Sequence, residues 1–454
     1  MYFRCARSRY LRSSCRRQYL ADKEVVNSPR PNGARATRCG AIIDGYRAYA
    51  NFLDPKWSRA HTSTLYPIRL QKWAGRTMKV SVLQENLNRG LTTVSRAVAT
   101  RTTLPITTHV LLQTDESRLR LVATNLEISI SYWIAAKVEV QGAITVPARL
   151  LNEFVSSLKP DTIEMELDQS TRQVDVVSAR VKAKLSGQDA DDFPPVPQLG
   201  EGLTIELEPD QLRTSIDRVA FAAATDDARP VLTGVQISID GDTLTFAAAD
   251  GFRLAVQTVR LSAPASEKVD VIVPARALRE LDRLLADQVE KVLMTVNPSR
   301  RSISFRLGNA ELVSSLVQGT FPNYRQLIPE SATTKAVVEV GEFLSATRTA
   351  AVFAREGNNI VRLYMAPGEN EMAGTVRLES RSEEVGGGER TIDALVDGPE
   401  SQIAFNSRYL QDILGVLGRS KVTLETTNPS SPGTFRPVDD EDYLHVVMPM
   451  FVQW

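Results

Sequence analysis

One pattern constrains the architecture of this chain more than any other: an arginine followed at offsets of two, five and nine by large apolar residues, present three times. In the middle copy Val273-Pro274-Ala275-Arg276 leads to Leu278, Leu281 and Leu285. Upstream, Val146-Pro147-Ala148-Arg149 leads to Leu151, Phe154 and Leu158, and downstream Arg408 leads to Leu410, Ile413 and Leu417. A proline stops a strand ladder and suits a helix start, so at Pro147 and Pro274 an apolar strand turns directly into a helix. Three-then-four spacing keeps the leucines in one stripe and, in the middle copy, sets Arg276, Arg279 and Arg283 on the other face. Self-similarity at a fixed offset means an internal repeat, which settles the architecture before any single element does.

The 454 residues exceed what one core holds and fit three domains of ordinary size. From Met78 an alternating strand gives way to a helix marked by Leu83, Leu87, Leu91, Val94 and Val98, with Arg89 and Arg96 off that stripe. Val110 to Gln113 and Leu119 to Ala123 alternate around Asp115-Glu116-Ser117 and read as a hairpin, as do Ile163 to Leu167 and Val174 to Val177. The second copy opens at Leu203, with a helix from Asp210 bearing Leu212, Ile216 and Val219 and a hairpin turning at Asp240-Gly241. The third starts near Val337 and carries its first helix through Leu344, Arg348 and Ala351. Its Gly386-Gly387-Gly388 reads as a flexible loop between strands, and its last strand as Tyr443 to Met448. The expected fold is α+β: three copies of one unit, each with two helices packed on antiparallel sheet, bounded at 78–200, 201–331 and 332–454.

Residues 1–77 differ in kind. They hold sixteen Lys/Arg against four Asp/Glu, leaving 38 against 50 in the rest, so a net charge of zero divides into +12 and −12. They show no sustained period and are expected to be disordered. A transit peptide, a basic nucleic-acid-binding arm and upstream sequence preceding a start at Met78 all fit; the last is preferred, because Met78-Lys79-Val80 opens an ordered pattern at once. All three cysteines, Cys5, Cys15 and Cys39, lie there, which excludes disulfides and a Cys-based metal site from the rest. No apolar run reaches eighteen residues, so no membrane span is expected, and a cytoplasmic location is.

The chain lacks a phosphate-cradling glycine loop ending in Lys-Ser/Thr, a Gly-x-Ser-x-Gly elbow and a dinucleotide fingerprint. No catalytic residue and no cofactor is expected. His109 and His445, the only histidines after residue 77, are expected to pack locally. The pairs Asp191-Asp192, Asp226-Asp227 and Asp439-Asp440 leave open a metal-dependent enzyme, and a peptide-binding scaffold that never meets DNA is a second alternative. The three equivalent arginines favour another use. Repeat symmetry turns them towards a common axis, where phosphate-directed arginines would hold a duplex without reading its bases.

From Met78 onwards the chain resembles the bacterial DNA sliding clamp, the beta subunit of DNA polymerase III, over all three repeats. The residues that carry the resemblance are Arg101-Thr102-Thr103-Leu104-Pro105-Ile106, Arg229-Pro230-Val231-Leu232, Ala249-Asp250-Gly251-Phe252-Arg253-Leu254-Ala255, Phe321-Pro322-Asn323-Tyr324 and Val446-Val447-Met448-Pro449-Met450. The resemblance implies a non-catalytic processivity subunit: a homodimeric, head-to-tail ring around duplex DNA, which closes rather than polymerises. It implies as partners the clamp loader, the replicative polymerase and repair proteins, bound through short peptide motifs. DNA contacts fall to Arg96, Arg101, Arg149, Arg276 and Arg408, and the dimer junction to Leu185, Val352 and Phe353.

A peptide groove between the second and third units, again implied by the resemblance, comprises Arg229, Leu232, Ala249, Gly251, Phe252, Arg253, Leu254, Pro322, Leu327, Val446, Met448, Pro449 and Met450. Adaptable methionines suit a surface that accepts several related motifs. The chain departs from the family at Phe252, where a polar ring is common, at Gln326, where an arginine occurs, and in its ending Phe451-Val452-Gln453-Trp454. These departures bear on partner preference.

Overall fold

The computed structural model describes residues 77–453 apart from 197–201, 300, 357, 370–373, 383, 385 and 419. The disorder and start-site expectations for residues 1–77 therefore fall outside the described residues, save for Thr77.

The first unit runs β1 (Lys79–Leu83), α1 (Gln84–Val94), β2 (His109–Asp115), β3 (Arg118–Thr124), β4 (Ile128–Ala135), β5 (Lys137–Val140), β6 (Ala143–Pro147), α2 (Ala148–Ser157), β7 (Thr162–Asp168), β8 (Gln173–Ser178) and β9 (Val181–Ser186). The second repeats that order without the extra strand: β10 (Leu203–Leu207), α3 (Pro209–Val219), β11 (Gly234–Asp240), β12 (Thr243–Ala249), β13 (Arg253–Arg260), β14 (Val269–Pro274), α4 (Ala275–Leu285), β15 (Val292–Asn297), β16 (Ser302–Arg306) and β17 (Ala310–Ser315). The third repeats it again: β18 (Thr334–Glu339), α5 (Val340–Ala354), β19 (Ile360–Pro367), β20 (Gly374–Ser382), β21 (Gly386–Asp397), β22 (Ser401–Asn406), α6 (Ser407–Val416), β23 (Lys421–Thr426), β24 (Gly433–Pro437) and β25 (Tyr443–Val447).

The apolar stripes lie where the spacing puts them. Leu87, Leu91 and Val94 of α1, and Leu278 and Leu281 of α4, are fully buried beneath antiparallel sheet. Each unit's two helices pack side by side, α1 on α2, α3 on α4 and α5 on α6. The strands form sheets of five, eight and twelve, and the two larger ones run across unit boundaries. Strand β17 pairs antiparallel with β4, Val313 opposite Ser129 and Leu312 opposite Ile130. In the same way β25 pairs with β13, Val446 opposite Leu254 and His445 opposite Ala255. Ser129 and Leu254 each stand five residues after the end of the preceding hairpin strand, at Thr124 and Ala249, so the two seams are one construction used twice.

Three local expectations are corrected. Leu83 ends β1 with its side chain half exposed, and Val98 is extended beyond a 3-10 turn, so α1 is shorter at both ends than the leucine pattern predicts. The helix α5 does run through Leu344, Arg348 and Ala351, and Ala351 is buried with Val340, Phe343, Ala346, Thr347, Ala350 and Ala354, but Leu344 only flanks the core and Arg348 is exposed. Small alanines weaken the hydropathy contrast there, which hides the true face from periodicity.

The third correction concerns Gly386-Gly387-Gly388. These residues are not a loop but the start of β21, opposite Ser382, Arg381 and Ser380 of β20. A Cβ on Gly388 would lie 2.8 Å from the Phe353 ring, and one on Gly387 would lie 2.8 Å from the Ser380 carbonyl oxygen. The glycines admit a close approach of strand to helix rather than flexibility.

Candidate functional site

The first candidate surface is the set of helix starts. Arg149, Arg276 and Arg408 are exposed in the opening turns of α2, α4 and α6, and none of these turns contains an acidic residue. The first helix of each unit is the reverse, with Glu85, Asp210 and Glu342 in its opening turn. A helix N-terminus carries partial positive charge, which acids relieve and arginines aggravate, so these arginines do not serve helix stability. Together with the N–H groups of the opening turns, of which that of Arg408 is already capped by Asn406 Oδ1 at 2.9 Å, they make three ends suited to anions.

The basic face is thinner than the sequence spacing predicts. Arg149 Nε is held 2.7 Å from Glu153 Oε1, and Arg283 Nη1 lies 2.6 Å from Glu280 Oε1. Arg279 turns back to donate to the Ala220 carbonyl at 3.0 Å. Among the described residues Arg276 and Arg408 form no ion pair, and Arg96 and Arg101 are exposed and likewise form none. The i,i+3 and i,i+4 acids that neutralise the other arginines lie in plain view in the sequence, but a face drawn from arginine positions alone omits them.

The second candidate surface lies where β13 meets β25. Leu232, Ala249, Leu254 and Val446 are buried with Phe321 and Tyr324 in one small apolar cluster, so they form a floor rather than an open wall. Above it Arg229, Gly251, Phe252, Pro322, Leu327 and Met448 are exposed, Phe252 at 59% and Leu327 at 46%. Pro449 is buried and Met450 half-buried. The C-terminal segment is pinned by its backbone: the Met448 N–H donates to the Phe252 carbonyl at 2.8 Å, and the Met450 N–H to the Ala404 carbonyl at 2.7 Å. A turn shapes the rim between. Asp250 Oδ1 accepts from the N–H groups of Phe252 at 2.9 Å and Arg253 at 3.0 Å, and Gly251 adopts φ +96°. A Cβ there would lie 2.6 Å from the Arg229 guanidinium, which itself donates to the Asp250 carbonyl at 2.7 Å. Glycine adopts this φ without strain, and a side chain here would have to push the Arg229 guanidinium aside.

Arg253 departs from the expected picture. Its side chain is only 10% exposed and points away from the rim into the seam between the second and third units. Local patterns in the sequence also miss the polar residues that line this seam. Tyr443 Oη donates to the Arg218 carbonyl at 3.1 Å, and Arg218 bonds Gln257 at 3.0 Å as well as Asp440. His445 is buried, stacked on Phe221 with ring centroids 5.5 Å apart. Both histidines pack locally, His109 with its Nδ1 3.2 Å from Thr145 Oγ1. Nothing short-range announces the seam cluster, because its members come from residues more than 200 positions apart.

Burial holds the His445 imidazole down at about pKa 3, with the Arg253 charge acting the same way. A histidine buried neutral keeps its full contribution to stability above its unfolded pKa near 6.5, and that contribution is lost as pH falls from about 6.5 towards 3. Stability is therefore expected to fall by about 1 kcal/mol per pH unit through that window from this residue alone. Denaturant titrations from pH 7 to 4 should show the slope flattened in His445→Phe; an unchanged slope would show that His445 does not carry it.

The acidic pairs do not gather. Asp226 accepts from the Ala228 N–H, Asp440 is engaged by Arg218, and among the described residues no three His, Cys, Asp or Glu side chains form a metal-sized cluster. The third set of expected residues, at the dimer junction, is partly covered already: Leu185 of β9 is buried in the core, Phe353 is half-buried against Gly388, and Val352 is 62% exposed on α5.

Comparison with known proteins gives one family match for each of the three units. Family models for the N-terminal, central and C-terminal domains of the DNA polymerase III beta subunit match residues 78–197, 206–323 and 325–451. The beta sliding clamp of Synechococcus elongatus is 34% identical over 377 residues, covering 82% of this chain and 99% of that protein. That of Bacillus subtilis is 30% identical, with the same coverage of each chain. Among solved structures, the Bacillus subtilis sliding clamp superposes with a TM-score of 0.78 at 29% identity, covering 83% of this chain and all of that one. A Pseudomonas aeruginosa clamp bound to griselimycin superposes with a TM-score of 0.77, again at 29% identity and with the same coverage. With three matched domains in order and nearly the full length of its relatives spanned, this chain belongs to the bacterial beta sliding clamp family, the processivity clamps of DNA polymerase III.

Proposed function

We propose that two copies of this chain close head to tail into a ring around duplex DNA, with Arg149, Arg276 and Arg408 towards the phosphates, and that the rim above the apolar floor receives short peptides from the polymerase, the clamp loader and repair proteins. In this reading the chain makes and breaks no bond. Its units are those bounded at 78–200, 201–331 and 332–454, and Arg96 and Arg101 add phosphate contacts from the first.

One observation carries the ring. Both seams inside the chain join the third hairpin strand of one unit to the last strand of the next. That rule leaves one strand of each kind unused: the outer edge of β9 in the first unit and the edge of β21 between Gly386 and Ala394 in the third. A chain cannot satisfy both edges alone, and a second copy satisfies two such pairs at once. Carried over in the same register, Lys182 stands opposite Glu389, Ala183 opposite Gly388 and Lys184 opposite Gly387, with Leu185, Val352 and Phe353 behind them.

The charges at this third seam are reversed from the first. There the last strand supplies the acid, Glu311, 4.0 Å from Arg120, and burial raises the Glu311 carboxyl above its ordinary range. Here the last strand supplies lysines and the receiving strand Glu389. Such reversal disfavours wrong pairings of otherwise similar edges. Native mass in solution tests the seam: Lys182→Glu with Lys184→Glu, and separately Glu389→Lys, should each shift the wild-type dimer towards monomer. Mixing the two variants should restore a dimer, since one seam then sets two glutamates against a lysine and the other keeps the wild-type lysines against glutamate; placing all three substitutions in one chain should restore it too. Dimers unaffected by either change would overturn the register.

A further inference from the structure

We propose that Arg253 is a positioning residue that fastens the groove turn of the second unit to the channel helix α6 of the third, rather than a residue whose charge meets the bound peptide. This rests on reading the rim above Leu254 as a peptide groove. Each of the three guanidinium nitrogens is engaged within the protein. Nε donates to Asp250 Oδ2 at 3.0 Å, Nη1 to Asp412 Oδ2 at 2.6 Å and Nη2 to the Phe221 carbonyl at 2.9 Å. It also lies over two rings, 5.2 Å from the Phe221 centroid and 4.6 Å from that of Tyr409. Asp250 and Phe221 belong to the second unit, Tyr409 and Asp412 to α6, so one planar cation spans the seam. Only arginine offers donors in three directions together with two stacking faces.

The repeat shows what the arginine adds. At the first seam the corresponding turn is Asn125 to Ile128, where Asn125 Oδ1 accepts from the N–H groups of Glu127 at 3.0 Å and Ile128 at 2.8 Å. Leu126 has φ 77° where Gly251 has 96°, so the two turns have one shape. The residue in the place of Arg253 is Ile128, only 2% exposed in the apolar core. An acceptor at the head of the turn therefore suffices to form it. The arginine, present only at the seam beside the groove, ties that turn to the helix that carries Arg408. Because Met448 hangs from the Phe252 carbonyl of the same turn, both sides of the groove depend on this anchor.

The test is a double-mutant cycle on the full-length dimer, read by anisotropy of a fluorescent peptide copying the clamp-binding segment of the replicative polymerase. Asp412→Asn lies on the far side of the seam, yet it should weaken the peptide about as much as Arg253→Gln, roughly tenfold, with the double variant no weaker than either single one. Arg253→Lys should recover only part. Full affinity in Asp412→Asn beside weak binding in Arg253→Gln would show that Arg253 meets the peptide directly and would overturn the proposal. Amide exchange of the free protein separates this from a failure of the groove reading. Asp412→Asn should speed exchange at Arg253 and Met448 whether or not any peptide binds, and unchanged protection there would overturn the anchor by itself.

Discussion

Protein loaded onto a nicked circular duplex should stay on it while the circle is intact and leave promptly once the circle is cut, and raising the salt concentration should hardly change retention on the circle. The two readouts together separate topology from attraction. Binding through phosphate contacts falls steeply with salt, with a slope of about −0.9 per neutralised phosphate. A closed ring needs no net attraction to stay. Changing Arg149, Arg276 and Arg408 together to Gln should lower the salt slope for open, linear DNA by about one unit for each phosphate left without its arginine, while leaving retention on circles unchanged. Of the three, Arg149 is already partly neutralised by Glu153, so it should contribute least. Equal, salt-sensitive loss from circles and linear DNA would sink the ring.

The second large effect concerns the C-terminal segment. Removing Met448 to Trp454 should weaken the polymerase-derived peptide by roughly a hundredfold or more, the scale expected when central apolar anchors of an interface are deleted. Dimer mass should not change, because the β25 ladder ends at Val447 and the free edges of β9 and β21 lie elsewhere. Met448→Ala should reproduce part of that loss, and Phe252→Ala tests a second exposed side chain of the rim. Wild-type affinity in the truncated protein would contradict the placement of the groove. Phe451 is 86% exposed, so its replacement by arginine probes whether the unusual ending alters partner preference without disturbing the floor.

Much of the fold was legible because it is written locally. Leucine spacing at Leu278, Leu281 and Leu285 and alternation around Asp240-Gly241 each report neighbours within a few residues, and the repeat multiplied every such signal by three. What escaped was set at long range. Gly386 to Gly388 carry the composition of a loop, yet their partners are Phe353 and the backbone of β20, which no local pattern announces. The pairing of β4 with β17 and of β13 with β25 is equally silent in the sequence, since any apolar edge strand could fill either place. Resemblance named the groove residues, but which of them face outward is decided by packing: Leu232, Ala249, Leu254 and Val446 are buried and the Arg253 charge points into the seam.

The sheets that run through the unit boundaries have a consequence for damage. A cut in the connection between β17 and β18 would break the covalent chain without breaking a single rung between β13 and β25. The two pieces would remain clasped by that ladder and by the Arg253 and Arg218 bonds across it, so a nicked molecule keeps its shape where one built of beads on a string would fall apart.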